Sequence, residues 1–224
     1  TGRREELLGQ LSSEIKNEFG INVSSFRLDV RDYDAVRNAV DSLPQEWKGI
    51  DILVNNAGLA RGLSKLHEGS LDDWNEMIDT NVKGLLHVSR CVIPLMAERK
   101  KGHVINIGSI AGHEVYPNGN VYCGTKHAVD AITQGMRMDL NGTNVKVTTI
   151  DPGLVETEFA IVRFRGDAVR AKSVYSGMAP LTPEDVADAI MYAVTCPENM
   201  VVAQMVLLPV AQASAMVVDR KSQS

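Results

Sequence analysis

The sequence predicts an α/β fold, a single domain over residues 1–224 built on one doubly wound parallel sheet. Three observations predict it. Short apolar runs alternate with helical patterns along the chain, the order expected of strand–helix–strand units. Several of these runs are continuously apolar, which marks strands covered on both faces. The polar and glycine-rich clusters Asp29, Asn55–Gly58, Gly108-Ser109 and Asp151-Pro152-Gly153 all fall where such runs end. Ligands in these sheets bind outside the carboxyl ends of the strands.

Taken in order, residues 4–19 read as a helix with Leu7, Leu8, Leu11, Ile15 and Phe19 on one stripe. Val23–Val30 reads as a strand carrying Asp29 at its end, and Asp32–Leu43 as a helix. Ile50–Val54 is a short buried strand that leads into Asn55-Asn56-Ala57-Gly58. Leu71–Arg99 is a long apolar-faced helical stretch, with a break expected near Thr80 and a bend at Pro94. His103–Gly108 reads as a strand, Val121–Leu140 as a helix and Val145–Ile150 as a strand. A loop with a short helix follows, then a helix opened by Thr182-Pro183-Glu184-Asp185. Thr182 suits the N-cap and Pro183 the first turn. Met200–Leu208 is the last apolar strand.

Bulk properties narrow the function. The 224 residues are 44% hydrophobic, enough for one full core, and no internal repeat, low-complexity tract or linker divides them. A net charge of -5 without a long basic run argues against nucleic acid or an anionic membrane as the main partner. No apolar run approaches the roughly 20 residues that span a bilayer. Cys91, Cys123 and Cys196 are scattered without metal-ligand spacing. That pattern fits reduced thiols in a cytoplasmic protein and no metal site.

The chemistry centres on Tyr122 and Lys126, four residues apart on one helix face. A phenol with its ordinary pKa near 10 is a poor base at neutral pH, and a neighbouring ammonium favours the phenolate. Ser109, at the end of the preceding strand, can donate a hydrogen bond to a carbonyl oxygen. The Tyr-x-x-x-Lys pair alone is a weak signal, because a surface Tyr beside a solvated Lys matches it equally well. Its company is more specific: Ser109 thirteen residues earlier, after a strand, and Asn55-Asn56-Ala57-Gly58 upstream.

With these residues in place, the chain resembles the short-chain dehydrogenase/reductase family over essentially its whole length. The resemblance implies a Rossmann-like sheet and a catalytic set on Asn81, Ser109, Tyr122 and Lys126. In that reading Tyr122 exchanges a proton with the substrate oxygen, and Ser109 polarises it. Lys126 holds the nicotinamide ribose and depresses the Tyr122 pKa, and Asn81 fixes a proton-relaying water. Asp29-Val30 resembles the adenine-contacting pair and Asn56, Ala57 and Gly58 the turn that passes the adenosine ribose. Pro152, Gly153, Val155 and Thr157 resemble the segment holding the carboxamide. Within the family, Leu43–Trp47, Asp51–Leu59, Asn106–Ser109, Gly119–Tyr122 and Glu158–Phe164 resemble bacterial NADP-dependent 3-hydroxy acid (serine/allo-threonine) dehydrogenases.

Cofactor choice turns on Arg3 and Arg4. An acid at this point accepts from the ribose 2′-hydroxyl of NAD, whereas an Arg suits the 2′-phosphate of NADP. Thr1-Gly2-Arg3-Arg4 has no acid before Glu5, so NADP(H) is expected. A Gly-rich phosphate loop is absent from the sequence; Thr1 enters mid-motif, and the expectation is that a strand and such a loop precede it. Arg163 and Arg165 follow the carboxamide segment and are candidates to bind a substrate carboxylate, with solvated lid charges as the plain alternative. His113 is a further candidate for the pocket wall. The family also implies a homotetramer formed through the long helices. Rival readings are a general carbonyl, ketone or steroid reductase of the same family, and a non-catalytic binding or regulatory module on the same fold.

Overall fold

The structure, a computed structural model, describes residues 1–221. Helices α1 (Glu5–Phe19) and α2 (Tyr33–Asp41) come first, then strand β1 (Ile52–Asn55). The long helical stretch divides into α3 (Leu71–Ile78), a π-helical turn (Asp79–Gly84) and α4 (Leu85–Arg99), which carries Pro94 inside it. β2 (Gly102–Ile107), α5 (Asn120–Asp139) and β3 (Val145–Pro152) follow. Two short helices, α6 (Phe159–Arg163) and α7 (Ala168–Ser173), lead to α8 (Pro183–Val194) and β4 (Gln204–Leu207). The strands form one parallel sheet in the order β1-β2-β3-β4.

Alternation along the central strands distributes the core. Val104, Val145 and Val147 face α4 and α5, packing with Val92 and Met96. Ile105 and Ile150 point to the opposite face, where Ala189 and Ala193 of α8 close over them. Full burial of a Val or Ile side chain contributes about 1.5–3 kcal/mol, so the helices on both faces fix β2 and β3 firmly. A polar network crosses this core: Asn55 donates to Asn106 at 2.8 Å and to Ser89 at 3.1 Å, and Asn106 donates to Thr133 at 2.8 Å. Buried polar groups cost free energy unless paired, so this network also sets the register of β1 on β2. His103 is a core residue too, bonded to Thr148 at 2.7 Å. Burial pushes its imidazole down to about 4, leaving it neutral. Thr182 opens α8 as expected, with its side chain and that of Asp185 forming a reciprocal capping box.

The N-terminal region departs from expectation. Val23–Val30 is not a strand: a single parallel bridge joins Gly2 to Arg27, supported by Leu28 N–H donating to Gly2 at 2.8 Å. Period-two alternation describes a surface that a ladder would bury, and only that short stretch of ladder is formed here. The apolar stripe of α1 is likewise uncovered, with Leu7, Leu11 and Phe19 all exposed. The final strand is shorter than Met200–Leu208 because only Gln204–Leu207 register against β3.

Candidate active site

The site lies at the carboxyl ends of β1, β2 and β3, where a third cluster of Leu59, Ala60, Met77, Ala111, Tyr122 and Cys123 is buried. The π-helical turn supplies Asn81. One extra residue per turn widens the backbone and aims its buried amide across the site. Asn81 accepts from the Leu59 N–H at 2.8 Å and donates to the Leu59 carbonyl at 2.8 Å and to Thr125 at 3.0 Å. Thr80, beside it, holds a buried hydroxyl oxygen without a hydrogen-bond partner in the described residues. Ser109 caps the short 3-10 turn Ile110–Gly112, accepting from Ala111 N–H at 3.1 Å and reaching the Pro152 carbonyl at 3.4 Å.

Tyr122 and Lys126 are both buried in α5. Burial pushes the Tyr122 phenol well above its ordinary value, with Tyr116 adding to the rise and the Ser109 hydroxyl opposing it. The Lys126 ammonium donates to the Ile107 carbonyl at 2.8 Å. Burial lowers it to about 8, against the pull of Asp151. Sequence spacing placed the two side chains on one face and assigned Lys126 the task of depressing the phenol. In the structure desolvation dominates Tyr122 instead, and the phenol is held neutral. Asn81, Ser109, Tyr122 and Lys126 nevertheless converge. Thr125 links Asn81 to the helix that carries Tyr122, and a Cβ on Gly58 would stand 3.5 Å from Asn81 Oδ1 and 3.7 Å from Lys126 Nζ.

Asn56, Ala57 and Gly58 form an exposed turn at the end of β1. Asp29 is gripped by Arg31 at 2.6–3.0 Å, which holds its carboxyl below the ordinary range. Val30 packs on Gly84, where a Cβ would overlap it, and its carbonyl bonds His87 at 2.9 Å. Gly153 N–H donates to Leu207 at 2.7 Å, the Val155 carbonyl accepts from Tyr175 at 2.8 Å, and Thr157 accepts from Phe159 N–H at 3.1 Å. Arg3 is exposed on the Asp29 side, whereas Arg4 reaches across to Glu158 at 2.6 Å.

The two lid arginines part company. Arg163 ends α6 and turns inward: its guanidinium lies 5.5 Å over the Tyr122 ring and 5.6 Å over Tyr116, and it donates to the Tyr116 hydroxyl at 3.1 Å and to the Gly62 carbonyl at 3.0 Å. Among the described residues it has no carboxylate within ion-pair distance. Arg165, at positive φ of 54°, is exposed and pairs with Asp73 at the edge of the same cleft. Arg163, Asp73, Trp74, Met77 and Tyr122 line one cleft with Arg61. Arg61 is itself neutralised by Glu76 at 2.6 Å and 2.9 Å. Sequence reasoning missed Arg31, the Arg61–Glu76 pair, Tyr116 and Thr125. Of these only Thr125 carried a signal, three residues from Tyr122 on the same helix face.

His113, considered above for the pocket wall, bonds the buried Asp151 at 2.9 Å instead. Among the described residues, no helix is long and apolar enough to cross a membrane.

Comparison with known proteins agrees with this geometry. The short chain dehydrogenase profile matches residues 1–167. The NADP-dependent 3-hydroxy acid dehydrogenase YdfG of Escherichia coli K12 is 48% identical over 216 residues, 96% of this chain and 86% of the relative. The NADP-dependent 3-hydroxy acid dehydrogenase of Schizosaccharomyces pombe is 42% identical over 219 residues, 98% and 85% respectively. Among solved structures, the closed form of a serine dehydrogenase complexed with NADP+ superposes with a TM-score of 0.90 at 46% identity, covering 99% of this chain and 88% of that one. Sequence and fold thus agree, and the chain belongs to the short-chain dehydrogenase family.

Proposed function

We propose that this protein is an NADP(H)-dependent oxidoreductase that interconverts an alcohol and a carbonyl on a small 3-hydroxy acid such as serine or allo-threonine. The observation that carries the substrate class is Arg163, a guanidinium held over the Tyr122 ring with no acidic partner among the described residues. A guanidinium so placed suits a substrate carboxylate through a charge-assisted pair.

The cofactor fits the residues present. Asn56–Gly58 offer an exposed turn beside Lys126, and the side-chain-free Gly58 leaves room at Nζ. Arg3, and Arg4 on release from Glu158, would meet a 2′-phosphate, Asp29-Val30 would border the adenine end, and Pro152, Gly153, Val155 and Thr157 the carboxamide end. When bound, NADP(H) supplies or accepts the hydride. Tyr122, kept neutral by burial, donates its proton to the substrate oxygen in reduction and recovers it in oxidation. Ser109 donates a hydrogen bond to the same oxygen, Lys126 would hold the ribose, and Asn81 would fix a water that relays protons to solvent.

The unbridged Cys91, Cys123 and Cys196 support a reducing, cytoplasmic setting. A homotetramer is supported by α5, whose outward stripe carries Gly124, His127, Ala131 and the exposed Met138. Small residues there let a partner helix approach closely, and light scattering at micromolar concentration should give four subunits; a monomer would exclude that assembly.

The substrate reading is tested by a panel with NADP+: serine, allo-threonine, 3-hydroxyisobutyrate and simple secondary alcohols. Hydroxy acids should have the highest kcat/KM. Preference for neutral alcohols would favour a general carbonyl reductase.

A further inference from the structure

Asp151 is an unusual residue to find where it is. It is 1% exposed, at the end of β3, and burying a carboxylate is costly unless it is paired. Both donors found on it converge on one oxygen: His113 Nε2 at 2.9 Å and Gln204 Nε2 at 3.0 Å meet Oδ2. The carboxylate packs against Gly108, where a Cβ would overlap it. The adjoining carbonyl, Ile107, is the one that Lys126 grips. The buried carboxylate and the buried ammonium therefore flank a single peptide unit.

We propose that Asp151, gripped by His113 and Gln204, is a positioning residue for the reaction: the buried counter-charge that keeps Lys126 a cation aimed into the site. This rests on the assignment of Lys126 made above. The charged and titratable groups facing Asp151 are His113 from the turn after β2, and Lys126 and Asp130 from α5, with the neutral Gln204 from β4. Burial raises the Asp151 carboxyl above its ordinary value and Asp130 adds to the rise, while the hydrogen bonds from His113 and Gln204 oppose it and favour the carboxylate. Asp151 in turn is the one charge found to favour the ammonium of Lys126 against burial. His113, partly exposed, is the member of the chain that solvent reaches. A purely structural role would be served as well by an amide at position 151, which could still accept from Gln204.

The sign follows. Removing the Asp151 charge lets Lys126 lose its proton at lower pH, so the alkaline limb of the rate profile should move down. A nearby opposite charge shifts a pKa by about 1–3 units, so Asp151→Asn should move the limb by roughly one unit or more. His113→Gln should move it the same way by less, since Asp151 loses one of the two donors that hold Oδ2. The measurement is kcat against pH with NADP+ and serine, for the parent, both variants and Lys126→Met, with folding checked by circular dichroism and Tm. An unmoved limb in folded Asp151→Asn overturns the proposal. If that variant does not fold, His113→Gln decides, and an unmoved limb there overturns it equally. Parent-like turnover in Lys126→Met would instead sink the assignment of Lys126 and this proposal with it. An inactive Lys126→Met beside unmoved limbs sinks only this one.

Discussion

The floor of the site and the lid above it are built on opposite principles. On the floor, Ser109, Tyr122, Lys126 and Asp151 are buried just after β2, on α5 and on β3, and burial dominates the acidities of Tyr122, Lys126 and Asp151. In the lid, Glu158 and Arg165 are exposed and paired with residues outside it, Arg4 and Asp73. Exposed pairs of that kind contribute about 0–1 kcal/mol. The floor is thus fixed by burial, whereas these two lid pairs are open to solvent. Arg163 belongs to both: it sits on the lid and lies over the Tyr122 ring of the floor.

The largest effect should come from the floor. Tyr122→Phe removes the group proposed to exchange the substrate proton and should cut kcat by about 10²-fold or more. NADP+ affinity, measured by fluorescence titration, should hold. Turnover within a few-fold of the parent would break the contrast at its strongest point. Next comes Arg163→Glu, which should raise KM for a hydroxy acid roughly ten- to a hundredfold, the loss expected of a charge-assisted hydrogen bond of about 1.5–3 kcal/mol. A neutral secondary alcohol should be nearly unaffected. Replacing Arg3 and Arg4 together with Ala should raise KM for NADP+ by a similar or smaller factor and leave that for NAD+ nearly unchanged. Equal weakening of both cofactors would remove the 2′-phosphate from the account. Arg165→Ala should matter least, changing kcat/KM by a few-fold at most, as suits an exposed pair. If Arg165→Ala equalled Arg163→Glu, the two lid arginines would not differ as their placement implies.

The floor was legible in the sequence for the reason that makes it rigid. β2 and β3 are built around the β-branched residues Val104, Ile105, Val145, Val147 and Ile150, and α5 keeps its helical period for 20 residues, so their ends place Ser109, Tyr122 and Lys126. Val23–Val30 misled because the alternation of Phe26, Leu28 and Val30 reports side-chain polarity and is silent about whether a neighbouring strand completes the ladder. The destination of a charge was not legible either. Spacing put Lys126 beside Tyr122, but the ammonium satisfies itself on Ile107, a carbonyl nineteen residues away. Arg163 and Arg165 are separated in fate by one backbone turn at the end of α6, where Arg165 adopts a positive φ. No composition or periodicity signals that turn.

The π-helical turn at Asp79–Gly84 has a consequence for how this protein tolerates changes in length. An α-helix advances about 100° per residue, so a chain shortened by one residue inside that turn could close into regular α-helix from α3 to α4. The helix would gain orthodox hydrogen bonds, yet everything beyond the deletion would rotate by about a quarter of a turn relative to α3. Asn81 could not keep its three bonds to Leu59 and Thr125 while α4 kept Val92 and Met96 against the sheet. The extra residue therefore works as a phase offset, letting one continuous rod face the core at one end and the chemistry at its middle.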